Sequence, residues 1–233
     1  MKNSTIAKCW TLAALLMFVT ATLQIVNENF VIGAVTFGAA TCFIAALPNT
    51  GKKRLRRIEK TMRSLDRMRN KELVVIDIQN DITKHYRDII DRLNAAIDWA
   101  VQQGMDVVYI KHNNLSPGTR TFKPDTKGEE LVPELKIVSG NIFTKSKANA
   151  LTSERFSAYI RENGIDEFYI TGADATACVK STCFNLTKAG FRVHVISDCV
   201  TSYDLKKLPE MLAYYAAKGC EVRTLAEYQN AGV

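Results

Sequence analysis

From Glu72 onward the chain alternates short apolar runs with longer runs whose apolar residues recur every three or four positions, and few architectures accommodate that alternation. LVVIDI (Leu73 to Ile78) is apolar and β-branched at consecutive positions, as a strand covered on both faces requires. Tyr86, Ile89, Ile90, Leu93, Ile97 and Val101 then mark one face of a helix that stops before Gly104. DVVYIK (Asp106 to Lys111) reads as a second strand. After a polar loop rich in Gly, Pro and Thr over 112–128, NIFTK (Asn141 to Lys145) reads as a third, EFYITG (Glu167 to Gly172) as a fourth and FRVHVIS (Phe191 to Ser197) as a fifth. EVRTL (Glu221 to Leu225) is a candidate sixth. Helical runs from about Thr152 to Asn163, Thr176 to Ala189 and Lys206 to Lys218 separate or follow the later strands. The pattern predicts an α/β domain over 72–233, with a doubly wound, mostly parallel sheet covered by helices on both faces.

The first 71 residues follow other rules. Two apolar runs, WTLAALLMFVTATLQIV (Trp10 to Val26) and FVIGAVTFGAATCFIAAL (Phe30 to Leu47), are separated by Asn27, Glu28 and Asn29 alone. Each approaches the ~20 residues needed to cross a bilayer core. They are expected to form a transmembrane helical hairpin over 1–51, with Ala34, Gly38 and Cys42 as a small-residue packing seam. The first run also fits a signal peptide cleaved near Ala21, but a second apolar run follows at once.

The formal net charge of +7 divides as +1 over 1–51, +8 over 52–71 and −2 over 72–233. The basicity therefore belongs to one linker, which argues against a nucleic-acid-binding body. The positive-inside rule places that linker, and the domain after it, on the cytoplasmic side. Within 52–71, Leu55, Ile58, Met62, Leu65 and Met68 lie three or four apart, so the linker is an amphipathic helix. It either lies along anionic headgroups or packs its apolar stripe on the neighbouring domain.

In a doubly wound sheet, ligands bind beyond the carboxyl ends of the strands. The first strand offers Asp77 there, followed by Gln79, Asn80 and Asp81; the third ends at Lys145; the fourth leads through Gly172 to Cys178. Asp81 and Thr83 are better placed than Asp77 to cap the following helix. An Asp behind VVI is costly to bury without a partner. Cys178 stands at a predicted helix start, where the dipole and free N–H groups are expected to lower the thiol pKa; a core cysteine is the bland alternative. Of the three histidines, His194 falls within a strand, His85 stands apart, and His112, at the end of the second strand, leaves a Cys–His pair open. Six cysteines without a CxxC pair suggest neither a disulfide framework nor a zinc site. GxSxG and GxxxxGK[ST] do not occur.

VVIDIQND (Val74 to Asp81), NIFTKSKANAL (Asn141 to Leu151) and ITGADATACVKSTCFNLTKAGFRVHVISD (Ile170 to Asp198) together resemble the isochorismatase-like cysteine hydrolases, over about residues 72–225. The resemblance implies a six-stranded parallel sheet and an Asp77, Lys145, Cys178 triad. It also implies a non-proline cis peptide at Ala173–Asp174, with the N–H groups of Asp174 and Cys178 forming an oxyanion hole. Many members carry Thr three residues before the cysteine, where this chain has Ala175 and then Thr176. Nicotinamidases carry an Asp and His metal set after the second strand, near the positions where this chain has His112 and Asn114, so no metal is expected. Isochorismatases proper lack the cysteine, so the superfamily name does not transfer as an activity.

The expected function is a membrane-anchored cysteine hydrolase cleaving a small amide-type C–N bond without a cofactor. Gln79, His112, Arg120 and Phe122, with Lys123, are candidates for substrate contacts, and the hairpin and basic linker for contacts with lipid; a homo-oligomer is compatible with the sequence. Cleavage of an ester or carbamoyl bond on the same fold is an alternative reading. A non-catalytic membrane-associated binding module is another.

Overall fold

A computed structural model of the chain describes residues 53, 56–58, 70–83 and 86–231. The hairpin expected over 1–51 lies outside the described residues, as do most of the basic linker and His85. Among the described residues, no helix is long and apolar enough to cross a membrane. Residues 53 and 56–58 are helical and exposed, and belong to a unit (1–64) separate from the one that carries the sheet (65–233).

Six strands form one sheet: β1 (Lys71–Ile76), β2 (Asp106–His112), β3 (Ile142–Lys145), β4 (Glu167–Gly172), β5 (Arg192–Val200) and β6 (Glu221–Arg223). Their order is β3-β2-β1-β4-β5-β6, and all five strand pairings are parallel. The chain winds outward from β1 in one direction and from β4 in the other, so the switch point lies between the carboxyl ends of these two strands. Among the described residues of this unit the α-helices are α1 (Asn80–Thr83), α2 (Ile90–Gln102), α3 (Glu154–Asn163), α4 (Cys178–Lys188), α5 (Leu208–Ala217) and α6 (Leu225–Ala231).

Successive strand residues alternate between two cores, as the pleat demands. Leu73, Val75, Val107, Tyr109 and Tyr169 pack with Leu93, Ile97 and Trp99 of α2 and Tyr228 of α6. Val74, Ile76, Val108, Ile110 and Ile170 pack with Phe156 and Ile160 of α3, Val179 and Leu186 of α4, and Met211 and Tyr215 of α5. Both faces are apolar, which is why the strand runs read as continuous rather than alternating.

Three local expectations are corrected. β1 ends at Ile76 rather than Ile78, because Asp77 takes a left-handed conformation with φ 55° and turns the chain out of the strand. Val101, assigned to the buried helical face, is 50% exposed; Ala96, Trp99 and Ala100 complete that face instead. Neither Asp81 nor Thr83 caps α2, whose N-terminus has no side-chain cap: Thr83 donates to the Gln79 carbonyl, and Asp81 accepts from the amide of Phe122.

Candidate active site

Three strand ends and one helix start converge beside the switch point. Asp77 follows β1, and its amide donates to the Ile110 carbonyl of β2 at 2.9 Å, which fixes the turn. Its carboxylate is 1% exposed. Lys145 is the last residue of β3, paired in register with His112 at the end of β2, and is also buried. Cys178 opens α4.

The Lys145 ammonium organises the group. It donates to Asp77 Oδ2 at 2.8 Å and to Cys178 Sγ at 3.3 Å, and lies 3.0 Å from His112 Nδ1. Asp77 Oδ1 has no hydrogen-bond partner among the described residues. The Lys145 side chain thus reaches from the edge strand past the end of β2 to meet the carboxylate beyond β1.

The turn between β4 and α4 is shaped by two features. Gly172 has φ 107°, and a Cβ there would lie 2.2 Å from the Ile76 carbonyl oxygen, so only glycine fits against β1. The Ala173–Asp174 peptide bond is cis, at the position the family resemblance implied. Among the described residues, the amides of Asp174 and Cys178 have no acceptor, whereas Ala173, Ala175, Thr176, Ala177 and Val179 all donate within the turn or to neighbouring strands. Ala175, where Thr was noted in other members, is fully buried and bonded through its backbone; Thr176 bonds Asp174.

Sequence reading missed the role of the Asp174 side chain. Its carboxylate accepts from Tyr86 Oη at 3.0 Å, Ser202 Oγ at 3.0 Å, Thr176 N and Oγ1 at 2.7 Å each, and Tyr203 N at 2.6 Å. Burial opposes its charge, but these bonds outweigh burial and hold the carboxyl below its ordinary range. The carboxylate thereby ties the turn to the segments after β5 and before α2. Its local signal is the Asp-Ala-Thr spacing, an Asx-type turn; its remaining partners lie far away in sequence.

The thiol corrects another expectation. Burial, followed by the negative charge of Asp77, pushes Cys178 up to about 12, and the Lys145 ammonium only partly opposes this. The helix start therefore does not store a thiolate, and ionising the thiol requires a base at close range. Cys183, Cys199 and Cys220 are buried. His194 lies away from this site, stacked on Tyr169 at 4.4 Å and placed between Glu167 and Glu221.

Gln79 is brought to the site's edge but is not free for a substrate. It is buried, its amide donates to the carbonyls of His112 and Glu129 at 3.0 and 2.7 Å, and its Oε1 accepts from the His112 amide at 2.7 Å. Asn80 holds Lys127 and Glu130 through backbone carbonyls, and Asp81 holds the amide of Phe122 at 2.6 Å. Gln79, Asn80 and Asp81 together clasp the 113–130 loop. Phe122, with φ 56°, packs its ring 5.5 Å from that of His112, whereas Arg120 and Lys123 are exposed.

Asp77, His112 and Cys178 also present ligand-type atoms within 4.8 Å of one another. They do not fit a metal ion: all three atoms already face one ammonium, at 2.8, 3.0 and 3.3 Å, and a dication would sit against that fixed charge.

The isochorismatase domain family model matches residues 71–227. A probable inactive nicotinamidase of Arabidopsis thaliana is 24% identical over 163 residues, covering 59% of this chain and 83% of that protein. The nicotinamidase of Escherichia coli is 23% identical over 208 residues, covering 68% of this chain and 96% of that protein. The crystal structure of the pyrazinamidase of Pyrococcus horikoshii in complex with zinc superposes with a TM-score of 0.61 at 21% identity, over 67% of this chain and 99% of that one.

Proposed function

Because this chain belongs to the isochorismatase domain family of hydrolases, we propose that it is a cysteine hydrolase cleaving a small amide-type C–N bond through a thioester on Cys178. The observation that carries this reading is the buried ammonium of Lys145 bridging the Asp77 carboxylate and the Cys178 sulfur, at 2.8 and 3.3 Å. Lys145 lets a carboxylate persist in an apolar site, and Asp77 supplies the base that a thiol raised to about 12 requires.

Asp77 takes the thiol proton as sulfur attacks the carbonyl carbon, and the carbonyl electron pair moves onto oxygen. The amides of Asp174 and Cys178 donate to that oxygen. The oxyanion collapses, the C–N bond breaks, and Asp77 gives its proton to the leaving nitrogen. Water then attacks the thioester with Asp77 again as base, and the thiolate leaves and recovers the proton as the acid departs. Clasped over the end of β2, the 113–130 loop provides the entrance, with Arg120, Phe122 and Lys123 as its candidate substrate contacts.

The hydrolase unit is anchored by the hairpin over 1–51 at the cytoplasmic face, with 52–71 against anionic headgroups. The two apolar runs and the net +8 of the linker support this. Alkaline carbonate extraction should leave the protein in the membrane, and recovery in the soluble fraction would remove the anchor.

The deciding test is a screen of the full-length protein and its Cys178→Ala variant across primary amides, N-carbamoyl compounds and esters. Turnover of an amide by wild type, abolished in the variant, with a mass adduct on the Cys178 peptide, is expected. Turnover confined to carbamoyl compounds or esters would change the bond assigned. Undiminished turnover in the variant would remove the thioester mechanism, and no turnover of any class would leave a binding module.

A further inference from the structure

The sequence makes His112 a candidate substrate contact, yet its ring is turned into the cluster around Lys145. An ammonium has three donors and no acceptor. The Lys145 Nζ lies 3.0 Å from His112 Nδ1, and its other two close contacts are Asp77 Oδ2 and Cys178 Sγ. Three donors thus meet three acceptors, which fixes the ammonium in rotation and in place. Nδ1 can serve as an acceptor only if it carries no proton, so the ring must be neutral with hydrogen on Nε2.

The ring is also held in place independently of Lys145. The backbone N–H and C=O of His112 are both bonded to the Gln79 side chain, and the ring packs on Phe122. The imidazole is therefore positioned to receive the ammonium. The charged and titratable groups facing it are Asp77 beyond β1, Lys145 on β3 and Cys178 on α4. On its own strand, Lys111 is paired with Glu129 of the loop at 2.8 Å. Burial, then the Lys145 charge, disfavours a second proton on the ring, and Asp77 only partly opposes them.

We propose that His112 is a positioning residue for Lys145: as the neutral Nε2–H tautomer it supplies the third acceptor that seats the ammonium between Asp77 and Cys178, and protonation of the ring at acid pH unseats it. A protonated ring would put two cations 3.0 Å apart and remove the acceptor, so Lys145 would lose its alignment with the thiol. Only the catalytic consequence rests on reading Cys178 as the nucleophile; the tautomer and the seating of Lys145 do not.

Two substitutions separate acceptor from ring. His112→Asn places an amide oxygen near the position of Nδ1 and cannot titrate, whereas His112→Phe keeps the ring packing and removes the acceptor. The probe is iodoacetamide alkylation of Cys178 in the full-length detergent-solubilised protein, followed by mass spectrometry from about pH 5 to 10, and it needs no substrate. His112→Phe should slow alkylation at pH 8 about tenfold, the effect of raising the thiol by one unit. His112→Asn should remain within about threefold of wild type and lack the acid-side inflection assigned to His112. In wild type, nitrogen-15 spectra of labelled histidine, with His112 assigned by its loss in His112→Asn, should show an unprotonated Nδ1 at neutral pH. A proton on Nδ1, or equal alkylation profiles in wild type and His112→Phe, would overturn the proposal without touching the hydrolase reading. Loss of that reading in the substrate screen would leave the tautomer result standing.

Discussion

Replacing Lys145 with Met would test the charge logic of the site through stability alone. Met has nearly the same reach and fills the same apolar space, so the change removes charge and donors rather than volume. What remains is Asp77, 1% exposed, with Oδ1 lacking a partner among the described residues and Oδ2 deprived of its cation. Breaking a buried pair by removing one partner costs about 3–5 kcal/mol, because the other charge stays buried and uncompensated. His112 and Cys178 also lose a donor, but both are neutral, and each adds at most about 1 kcal/mol. In a chain of this size, 1 kcal/mol moves the melting temperature by about 2–4 °C, so a total loss of about 3–7 kcal/mol is expected to lower it by about 6–28 °C. The double variant Asp77→Asn/Lys145→Met removes both charges and should recover most of the loss, with a coupling energy of about 2–3 kcal/mol. Equilibrium urea unfolding of the full chain in mild detergent, followed by far-UV circular dichroism, measures both. A single variant that loses less than about 1 kcal/mol, or a double no more stable than Lys145→Met, would refute the reasoning.

Gly172→Ala should destabilise the protein by about 3 kcal/mol or more in the same assay, since a Cβ would stand 2.2 Å from backbone at a φ that L-residues avoid. Glu72 is fully buried, and burial above all raises its carboxyl to about 8 from an ordinary 4.5. A raised folded-state value means that stability is full below 4.5 and is withdrawn as pH climbs through about 8, so Glu72→Gln should raise the melting temperature near pH 9 and leave it unchanged near pH 4.5. Gly128→Ala would drive a Cβ to within 2.3 Å of the Asp81 carboxylate and displace it from the Phe122 amide. That bond is charge-assisted, worth about 1.5–3 kcal/mol, so hydrogen exchange at Phe122 should accelerate by roughly ten- to a hundredfold.

The sequence by itself determined the six strands, the four longest helices and the class of fold, but not the short α1 or the closing α6. Short continuous β-branched runs bounded by turn residues fit strands covered on both faces, and the spacing of Leu93 and Ile97 or Phe156 and Ile160 gives a helix one apolar face to bury; such patterns are local and do not depend on the tertiary arrangement. Asp77 and Lys145 were legible as strand-end residues, and Cys178 as a helix-start residue after the fourth strand, for the same reason. Their meeting was not, because it depends on the strand order β3-β2-β1-β4-β5-β6 and on the parallel register that sets His112 beside Lys145.

Tertiary structure alone assigned His112 to the ammonium, withdrew Gln79 from the substrate into the loop clasp, and gathered three donors on Asp174 from segments before α2 and after β5, beside the two that Thr176 supplies locally. It also reversed the expected shift of the Cys178 thiol. A helix start is visible in sequence, but burial and a carboxylate that follows a strand about a hundred residues earlier are not, and those two effects outweigh the opposing charge of Lys145.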